Sequence, residues 1–328
     1  MSYNMRSYGV MLSDPLRMAA FTDAMRRHVK PGSIVLDLGA GSGILSLLAC
    51  KFGAQRVYAV DPNPLVWALV DAAKRNGFED QIVVICADSR EIDLPDRVDV
   101  ILADIRGTLP LFGGTQAIVS DACRRFLTAK GVVLPMSDRM FVAPVSEPRF
   151  MAEWNRIWKE NDLGVDISSL GRWEFGSLIA SQANASDLLS PAQCLGEFSW
   201  STDVRMDLCP ELVFKMAQDG DLHGFMGWFD LHFGNGLVLT NAPDAPKLVY
   251  GRATFLLGET VRVRSGFTVR VEINVRPLVS SEVWSWAGDV RDCSGAVVYS
   301  FRESTLKLAS LQSIAAARAP RATVRKVE

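Results

Sequence analysis

A glycine-rich turn flanked by acidic residues is the stretch of this sequence best suited to bind a ligand. Asp37 lies in a short apolar run, and Gly39, Gly41 and Gly43 follow at every second position. Glycine permits backbone angles that other residues avoid, and it lets a ligand approach main-chain N–H groups closely. Asp61 ends a second apolar run about 20 residues further on, where a carboxylate can accept hydrogen bonds from ribose hydroxyls. The spacing therefore predicts a site for adenosine.

The order of the glycines argues against a nicotinamide dinucleotide. That cofactor calls for Gly-x-Gly-x-x-Gly, whereas this turn is Gly-x-Gly-x-Gly with an acid inside the preceding strand. The pattern resembles the first motif of class I S-adenosylmethionine-dependent methyltransferases, in which the strand aspartate lies near the methionine end of the cofactor. A packing turn in another α/β domain and a dehydrogenase are the alternatives.

A second polar pair, Asp104 and Arg106, follows a later apolar run. Ligand chemistry in open parallel sheets takes place at the carboxyl edge of the strands. Asp104 is accordingly the candidate for orienting or deprotonating a methyl acceptor, and Arg106 for anchoring an anionic group. The alternative is a structural salt bridge between the two.

The elements that must position these residues alternate between strand and helix. Ser13-Asp14-Pro15 predicts the start of a helix that ends at Pro31-Gly32. Alternating elements of this size predict βαβ units and a parallel sheet. The remaining predicted elements are the strands 35–38, 56–60, 81–86, 98–103 and 131–134 and the helices 64–76 and 115–126.

The pattern changes near Pro135. Stretches such as 261–264 and 268–275 alternate apolar and polar residues with a period of two, which predicts an antiparallel sheet or barrel with one wet face. Six aromatic residues are expected to fill its core: Trp228, Phe229, Phe233, Phe255, Trp284 and Trp286. The mixed stretch 150–193 contains three tryptophans, which could form either a dimer contact or core packing.

Several segments together resemble protein arginine methyltransferases over most of the chain. Residues 8–17 resemble the amino-terminal lid of that family, residues 131–135 the exit from its cofactor domain, and residues 222–230 one of its barrel strands. The resemblance implies that Arg17 pairs with the cofactor carboxylate and that Met11 lines the substrate pocket. It also implies a Rossmann-like domain, a β barrel with an inserted dimerisation arm, and a homodimer.

Class I methyltransferases also have an acid just after the third strand that accepts from the adenine amino group. The next residue presents its backbone N–H to the ring. Asp88 and Ser89 match these positions. The alternative is an ordinary polar loop that caps a helix. The full set of residues expected to bind S-adenosylmethionine is Arg17, Asp37, Gly39, Gly41, Gly43, Ile44, Asp61, Pro62, Asp88 and Ser89.

The acceptor side departs from the family. Arginine methyltransferases hold the guanidinium with two glutamates, whereas the first position here is Asp104 and the second falls on Gly113 or Gly114. The family's Thr-His-Trp loop falls on residues 248–250, which are Leu-Val-Tyr. Arg106 adds a positive charge that would repel a guanidinium. The sequence thus supports cofactor binding better than arginine specificity.

Bulk composition narrows the class of protein. The chain has 328 residues, 48% of them hydrophobic, and a net charge of −2, so it has enough apolar residues for a packed core and no general basic character for nucleic acid. It has no apolar run long enough for a membrane span and no signal peptide, so we expect a cytoplasmic protein. The six cysteines are scattered, which favours buried thiols over disulfides or a metal site.

These observations predict an S-adenosylmethionine-dependent methyltransferase that acts on oxygen or nitrogen of an unknown acceptor, a small molecule rather than peptidyl arginine. Asp104, Arg106 and Met11 would form the acceptor side. The alternatives are a genuine arginine methyltransferase whose second carboxylate is Glu147, Glu153 or Asp230, and a cofactor-binding but catalytically silent scaffold. The expected domains are a cofactor domain at 1–135, a β-barrel substrate domain at 136–310 with an arm at about 155–193, and a basic tail at 311–328.

Overall fold

The structure is a computed structural model that describes residues 4–111, 114–200, 205–208, 211–277 and 282–306. The predicted tail at 311–328 and Cys209 lie outside these ranges.

Five apolar segments of the first half form a parallel sheet. The strands are β1 (Ile34–Leu38), β2 (Arg56–Val60), β3 (Ile82–Ile85), β4 (Val98–Ala103) and β5 (Leu127–Leu134). Their order is β3-β2-β1-β4-β5, and each neighbouring pair is parallel. Successive strands are therefore added on one side of β1 up to β3 and on its other side from β4 onward. Open α/β sheets bind ligands at such a reversal of strand order. The predicted α/β class is confirmed.

Helices cover this sheet close to the predicted positions. They are α1 (Met5–Leu12), α2 (Pro15–His28), α3 (Ile44–Lys51), α4 (Ala68–Asn76) and α5 (Thr115–Phe126). Asp14 caps α2 by accepting from the backbone N–H of Arg17 at 3.0 Å, and Pro15 occupies its first turn. The predicted helix 64–76 is divided into a 3-10 turn, Pro64–Trp67, and α4. Helix α1 was not predicted as an element.

The second half is built from antiparallel strands around one helical insertion. The strands are β6 (Ser137–Val145), β7 (Leu178–Ala180), β8 (Gln193–Ser199), β9 (Arg205–Leu208), β10 (Leu212–Lys215), β11 (Gly220–His232), β12 (Val238–Thr240), β13 (Ala253–Val263), β14 (Thr268–Pro277), β15 (Glu282–Arg291) and β16 (Val297–Ser304). One sheet has the order β7-β13-β11-β6-β8-β9, with β12 beside β11, and the other has the order β10-β14-β15-β16. The predicted antiparallel domain is confirmed, and its described strands form two sheets.

Aromatic side chains fill the core of this half, as predicted from the sequence. Phe255 lies 5.4 Å from both Trp284 and Trp286, measured between ring centroids. The six aromatic residues named from the sequence are all buried. Their large apolar surfaces hold the two sheets together.

The insertion after β6 packs partly on the rest of the protein. It contains α6 (Pro148–Trp158) and α7 (Ser168–Gly171). Trp154 packs inward and donates from Nε1 to the carbonyl of Gly171 at 3.0 Å, whereas Trp173 is 53% exposed. One face of the insertion therefore packs on the protein and another faces solvent.

The cysteines match the prediction only in part. Cys50 and Cys123 are buried as expected. Cys86 is partly buried, and Cys194 and Cys293 are exposed. The last two do not fit the interpretation as buried thiols: Cys194 lies near the start of β8, and Cys293 lies in the turn between β15 and β16.

Contacts across the two halves hold the amino-terminal helices against the β domain. The second carboxylate oxygen of Asp14 accepts from the backbone N–H of Val249 at 2.8 Å. Phe21 of α2 meets Phe233 edge to face, with ring centroids 5.0 Å apart. The loop before β13 is thereby brought to the carboxyl edge of the parallel sheet.

Candidate active site

The glycine-rich turn requires glycine at the positions that the sequence singled out. Gly39, Gly41 and Gly43 have φ values of 74°, 53° and 74°, in the left-handed region. A Cβ on Gly39 would lie 2.2 Å from Cγ2 of Ile105, and one on Gly41 would lie 2.6 Å from a ring carbon of Tyr8. Both the backbone angles and the close packing therefore exclude larger residues.

Asp61 holds this turn in place. One of its carboxylate oxygens accepts from the N–H of Gly41 at 2.8 Å, and the other accepts from the N–H of Asn63 at 2.7 Å. Each carboxylate oxygen has a second lone pair. Asp61 can therefore fix the turn and still accept from a diol in the cleft that it lines.

Asp37 lies beneath the turn. Ser46 of α3 donates to its carboxylate at 2.6 Å. Burial raises the pKa of Asp37 to about 6, although the hydrogen bond from Ser46 opposes this rise. Asp37 is not among the described residues that line the cleft. It can therefore act on a bound cation only at a distance, through the electrostatic field of its carboxylate.

Asp88 and Ser89 line the same cleft as Gly39 and Asp61. Asp88 caps the 3-10 turn Ser89–Glu91, and the guanidinium of Arg90 donates to both of its oxygens at 2.9 and 2.6 Å. The hydrogen bond from Arg90 lowers the pKa of Asp88. Asp88 is thus both a capping residue and an ionised acceptor in the cleft.

The cleft has a volume of about 490 Å³, which is within the range of small-molecule sites. It contains eight of the residues named from the sequence: Met11, Gly39, Asp61, Pro62, Asp88, Ser89, Asp104 and Arg106. Arg17, Asp37, Gly41, Gly43 and Ile44 are not among its described lining residues. Gly41 and Gly43 shape the turn, Ile44 begins α3, and Arg17 contacts Asp104 at the edge of the cleft.

Asp104 lies at the centre of a buried charged network. Arg17 donates from Nε to its Oδ2 at 2.8 Å, and Arg106 donates from Nη1 to its Oδ1 at 3.1 Å. The hydroxyl of Tyr250 lies 2.8 and 3.0 Å from the same two oxygens. Three side chains from different parts of the chain thus converge on one carboxylate.

Arg106 extends the network to a second carboxylate, that of Asp138 at the start of β6. Its Nε and Nη2 donate to the two oxygens of Asp138 at 3.2 and 3.4 Å, and its Nη1 donates to the carbonyl of Ala103 at 3.0 Å. Trp200 donates from Nε1 to Asp138. The structural alternative considered for Asp104 and Arg106, a salt bridge between them, is therefore present.

Titration in this network is governed by burial and by opposite charges. Burial tends to lower the pKa of Arg106, but Asp138 and Asp104 raise it above the ordinary value. Burial raises the pKa of Asp138, and Arg106 partly offsets that rise. Burial and the charge of Asp104 raise the pKa of Tyr250 well above its usual value. At neutral pH Tyr250 is consequently a neutral donor to Asp104.

Three residues of the site were not predicted from the sequence. Tyr8 of α1 packs against the glycine-rich turn, and Asp138 and Tyr250 complete the network around Asp104 and Arg106. The position of Tyr250 could have been found from the loop that replaces Thr-His-Trp. Asp138 carried no local signal, because nothing in its spacing links it to Arg106, 32 residues earlier.

Comparisons with known proteins agree with this architecture. A family model described as the arginine methyltransferase oligomerization subdomain matches residues 137–290, and one described as ribosomal protein L11 methyltransferase matches residues 20–109. The protein arginine N-methyltransferase 6 of Xenopus tropicalis is 26% identical over 282 residues, which cover 81% of this chain and 82% of that protein. The chain is thus similar to protein arginine methyltransferases over most of its length.

Other relatives of this arginine methyltransferase-like chain are longer. The probable protein arginine N-methyltransferase 6 of Arabidopsis thaliana is 27% identical over 68% of the chain, which spans about half, 53%, of that relative. Among solved structures, the Trypanosoma brucei PRMT1 enzyme-prozyme heterotetrameric complex with AdoHcy matches with a TM-score of 0.79 and 24% identity. The match covers 90% of this chain and 97% of the other. It establishes the fold.

Two other kinds of site are absent from the described part of the chain. No helix there combines the length and apolar character that crossing a bilayer requires. Nor do three or more His, Cys, Asp or Glu side chains gather there in an arrangement suited to a metal ion.

Proposed function

We propose that this chain binds S-adenosylmethionine in the cleft beside the glycine-rich turn and transfers its methyl group to oxygen or nitrogen of a small acceptor. The observation that carries the proposal is the contact between Asp61 and Gly41, which fixes an acidic acceptor against a turn that admits only glycine. Bound S-adenosylmethionine supplies an electrophilic methyl group on a sulfonium. The chain then has to orient an acceptor and exclude water.

The residues around the cleft fit the parts of that cofactor. Asp61 is placed to accept from ribose hydroxyls, and Asp88 remains ionised and can accept from an adenine amino group. Arg17, whose Nη1 also donates to the carbonyl of Met11 at 3.2 Å, brings a cation to the edge where a carboxylate would lie. Asp37 adds a negative field beneath a cationic group.

The charge of the network disfavours a guanidinium as acceptor. Two aspartates, Asp104 and Asp138, are balanced by two arginines, Arg17 and Arg106, so the four side chains sum to zero. A cationic acceptor loses its hydration when it enters a buried site, and only a carboxylate that is not already paired can offset that loss. Glu147, one of the residues considered as a second carboxylate, is held by Ser181 and Thr254 at 2.5 and 2.6 Å. A neutral acceptor suits this site better.

A second candidate function is a cofactor-binding subunit without turnover. It is favoured by the number of donors on Asp104, because Arg17, Arg106 and Tyr250 already occupy both of its oxygens. In this arrangement Asp104 orients its neighbours and is not free to take a proton. A base would then have to come from the acceptor or from solvent.

A homodimer is also part of the proposal. The insertion exposes large apolar side chains around Trp173, among them Leu163, Val165 and Leu170. Exposed apolar patches of this kind mark protein–protein contacts. The match of residues 137–290 to an oligomerization subdomain supports the same interpretation.

Methyl transfer from labelled S-adenosylmethionine tests the two functions against each other. The purified chain would be given pools of small hydroxyl and amino compounds and, separately, arginine-containing peptides. We expect label in a small compound, with loss of transfer in Asp104→Ala and in Asp61→Ala. Label in arginine would contradict the proposed acceptor class, and cofactor binding without transfer to either pool would favour the silent subunit.

A further inference from the structure

The guanidinium of Arg106 lies between two carboxylates of its own chain. It makes four hydrogen bonds, to both oxygens of Asp138, to Asp104 and to the carbonyl of Ala103, at 3.0 to 3.4 Å. The exposed fractions of the Arg106, Asp104 and Asp138 side chains are 2%, 5% and 0%. This is the environment that recognition of a guanidinium requires, because its planar set of five donors matches paired carboxylates.

The two carboxylates have supports that do not depend on Arg106. Trp200 donates to Asp138, and Tyr250 and Arg17 donate to Asp104. Asp138 is also fixed by backbone pairing of β6 with β8 and β11. The carboxylates would therefore keep their positions if the Arg106 side chain were removed.

Arg106 also lines the cleft, and it belongs to the segment that follows β4. Arg106 therefore borders the proposed cofactor site. Its two carboxylate partners come from different halves of the chain, Asp104 from the first and Asp138 from the second. An incoming guanidinium would meet these carboxylates only after Arg106 had left.

We propose that Asp104 and Asp138 form a guanidinium-binding clamp and that Arg106 is its internal occupant, which closes the clamp to arginine-like ligands. The existence of the clamp rests on the geometry alone. Its role in excluding an arginine acceptor rests on the proposed function. Removing the Arg106 side chain should convert an occupied clamp into a binding site for free guanidinium.

The test is chemical rescue of Arg106→Gly. The variant leaves the buried Asp138 without its cation and Asp104 with Arg17 alone, so we expect a lower melting temperature than in the wild type. Guanidinium chloride, kept well below its denaturing range, should raise that temperature saturably by about 2–4 °C, because it binds only the folded state. Urea has a similar size and shape but no charge, and it should give no rise.

Arg139→Gly is the matched control. Arg139 is the next residue after Asp138, but its partner Glu197 and Arg139 itself are both more than two-fifths exposed. Guanidinium should not stabilise this variant. Equal responses of the two variants, or equal effects of guanidinium and urea on Arg106→Gly, would overturn the proposal.

A second measurement covers the case in which Arg106→Gly fails to fold. A crystal structure of the wild type with S-adenosylmethionine should show Arg106 between Asp104 and Asp138. An Arg106 side chain turned away from both carboxylates would overturn the proposal that it occupies the clamp. Cofactor titration of the wild type separates the two proposals. Rescue of Arg106→Gly with no cofactor binding to the wild type would retain the clamp and reject the proposed function, and cofactor binding to the wild type without rescue would do the reverse.

Discussion

Arg17 of α2 and Asp104 at the end of β4 form an ion pair 87 residues apart in sequence, with Arg17 Nη2 2.6 Å from Asp104 Oδ2. Both side chains are almost fully buried. The pair joins the amino-terminal helices to the carboxyl edge of the sheet, at the end of the cleft where the acceptor is proposed to lie. The cofactor side and the acceptor side of the site are thereby electrostatically coupled.

Arg17→Ala should destabilise the protein by about 3 kcal/mol, because it leaves Asp104 buried without one of its cations. It should also weaken cofactor binding. Arg26→Ala is the control on the same helix, since the Arg26–Asp23 pair is exposed and should change stability by less than about 1 kcal/mol. Urea denaturation of both variants measures the difference. Similar losses would show that the buried pair has no special role.

Asp37 should make stability fall as pH rises through the acid range. Its pKa is raised from 3.8 to about 6 in the folded state, so the folded protein binds more protons between these values. The stabilisation is fully present below about pH 4 and is lost by about pH 6, a change of roughly 3 kcal/mol. Asp37→Asn keeps an acceptor for Ser46 and should remove this slope. Parallel curves of unfolding free energy against pH for wild type and variant would refute this assignment.

Gly41→Ala should abolish or strongly weaken cofactor binding, by tenfold or more, because its Cβ would collide with Tyr8 and distort the turn that Asp61 fixes. Gly77→Ala is the matched control. Gly77 has a left-handed φ of 71°, but its Cβ would meet no atom within 4 Å. That variant should lose about 1 kcal/mol of stability and keep its affinity for the cofactor. Calorimetric titration distinguishes the two.

Tyr250→Phe should loosen Asp104 while keeping the aromatic packing of the ring against Phe229, 5.5 Å away between centroids. The lost hydroxyl should cost about 1–3 kcal/mol of stability. If Asp104 orients the acceptor, kcat should fall more than KM changes, because alignment in the transition state is affected. An unchanged kcat would mean that Tyr250 serves only to hold the β domain against the sheet.

Local signals in the sequence were sufficient for the glycine-rich turn and the elements around it. The three glycines at 39–43 all have left-handed backbone angles, so their spacing in the sequence is enough to predict the turn. The strand before Asp61 is an apolar run, which the sequence also shows. The sequence predicts Asp88 as an acceptor, with a capping loop as the alternative, and the structure shows a capping residue that lines the cleft. The helix-starting signal at Asp14-Pro15 placed α2 and with it Arg17.

The acceptor side depends on contacts between distant segments. Tyr250 is 146 residues from Asp104, and Asp138 meets Arg106 only because the start of β6 contacts the segment after β4 in the folded chain. A single sequence contains no spacing that pairs such residues. The sequence therefore shows the positive charge of Arg106 but does not show that Asp138 neutralises it.

Calorimetric titration of the purified, cofactor-stripped protein with S-adenosylmethionine, and separately with NAD, tests the central claim most directly. We expect micromolar binding of S-adenosylmethionine and none of NAD. Asp61→Ala should weaken that binding by about tenfold or more, whereas Asp71→Ala, which removes an exposed acid from α4, should leave it unchanged. Absence of binding to the wild type, or equal affinity in Asp61→Ala, would contradict the assignment of this cleft.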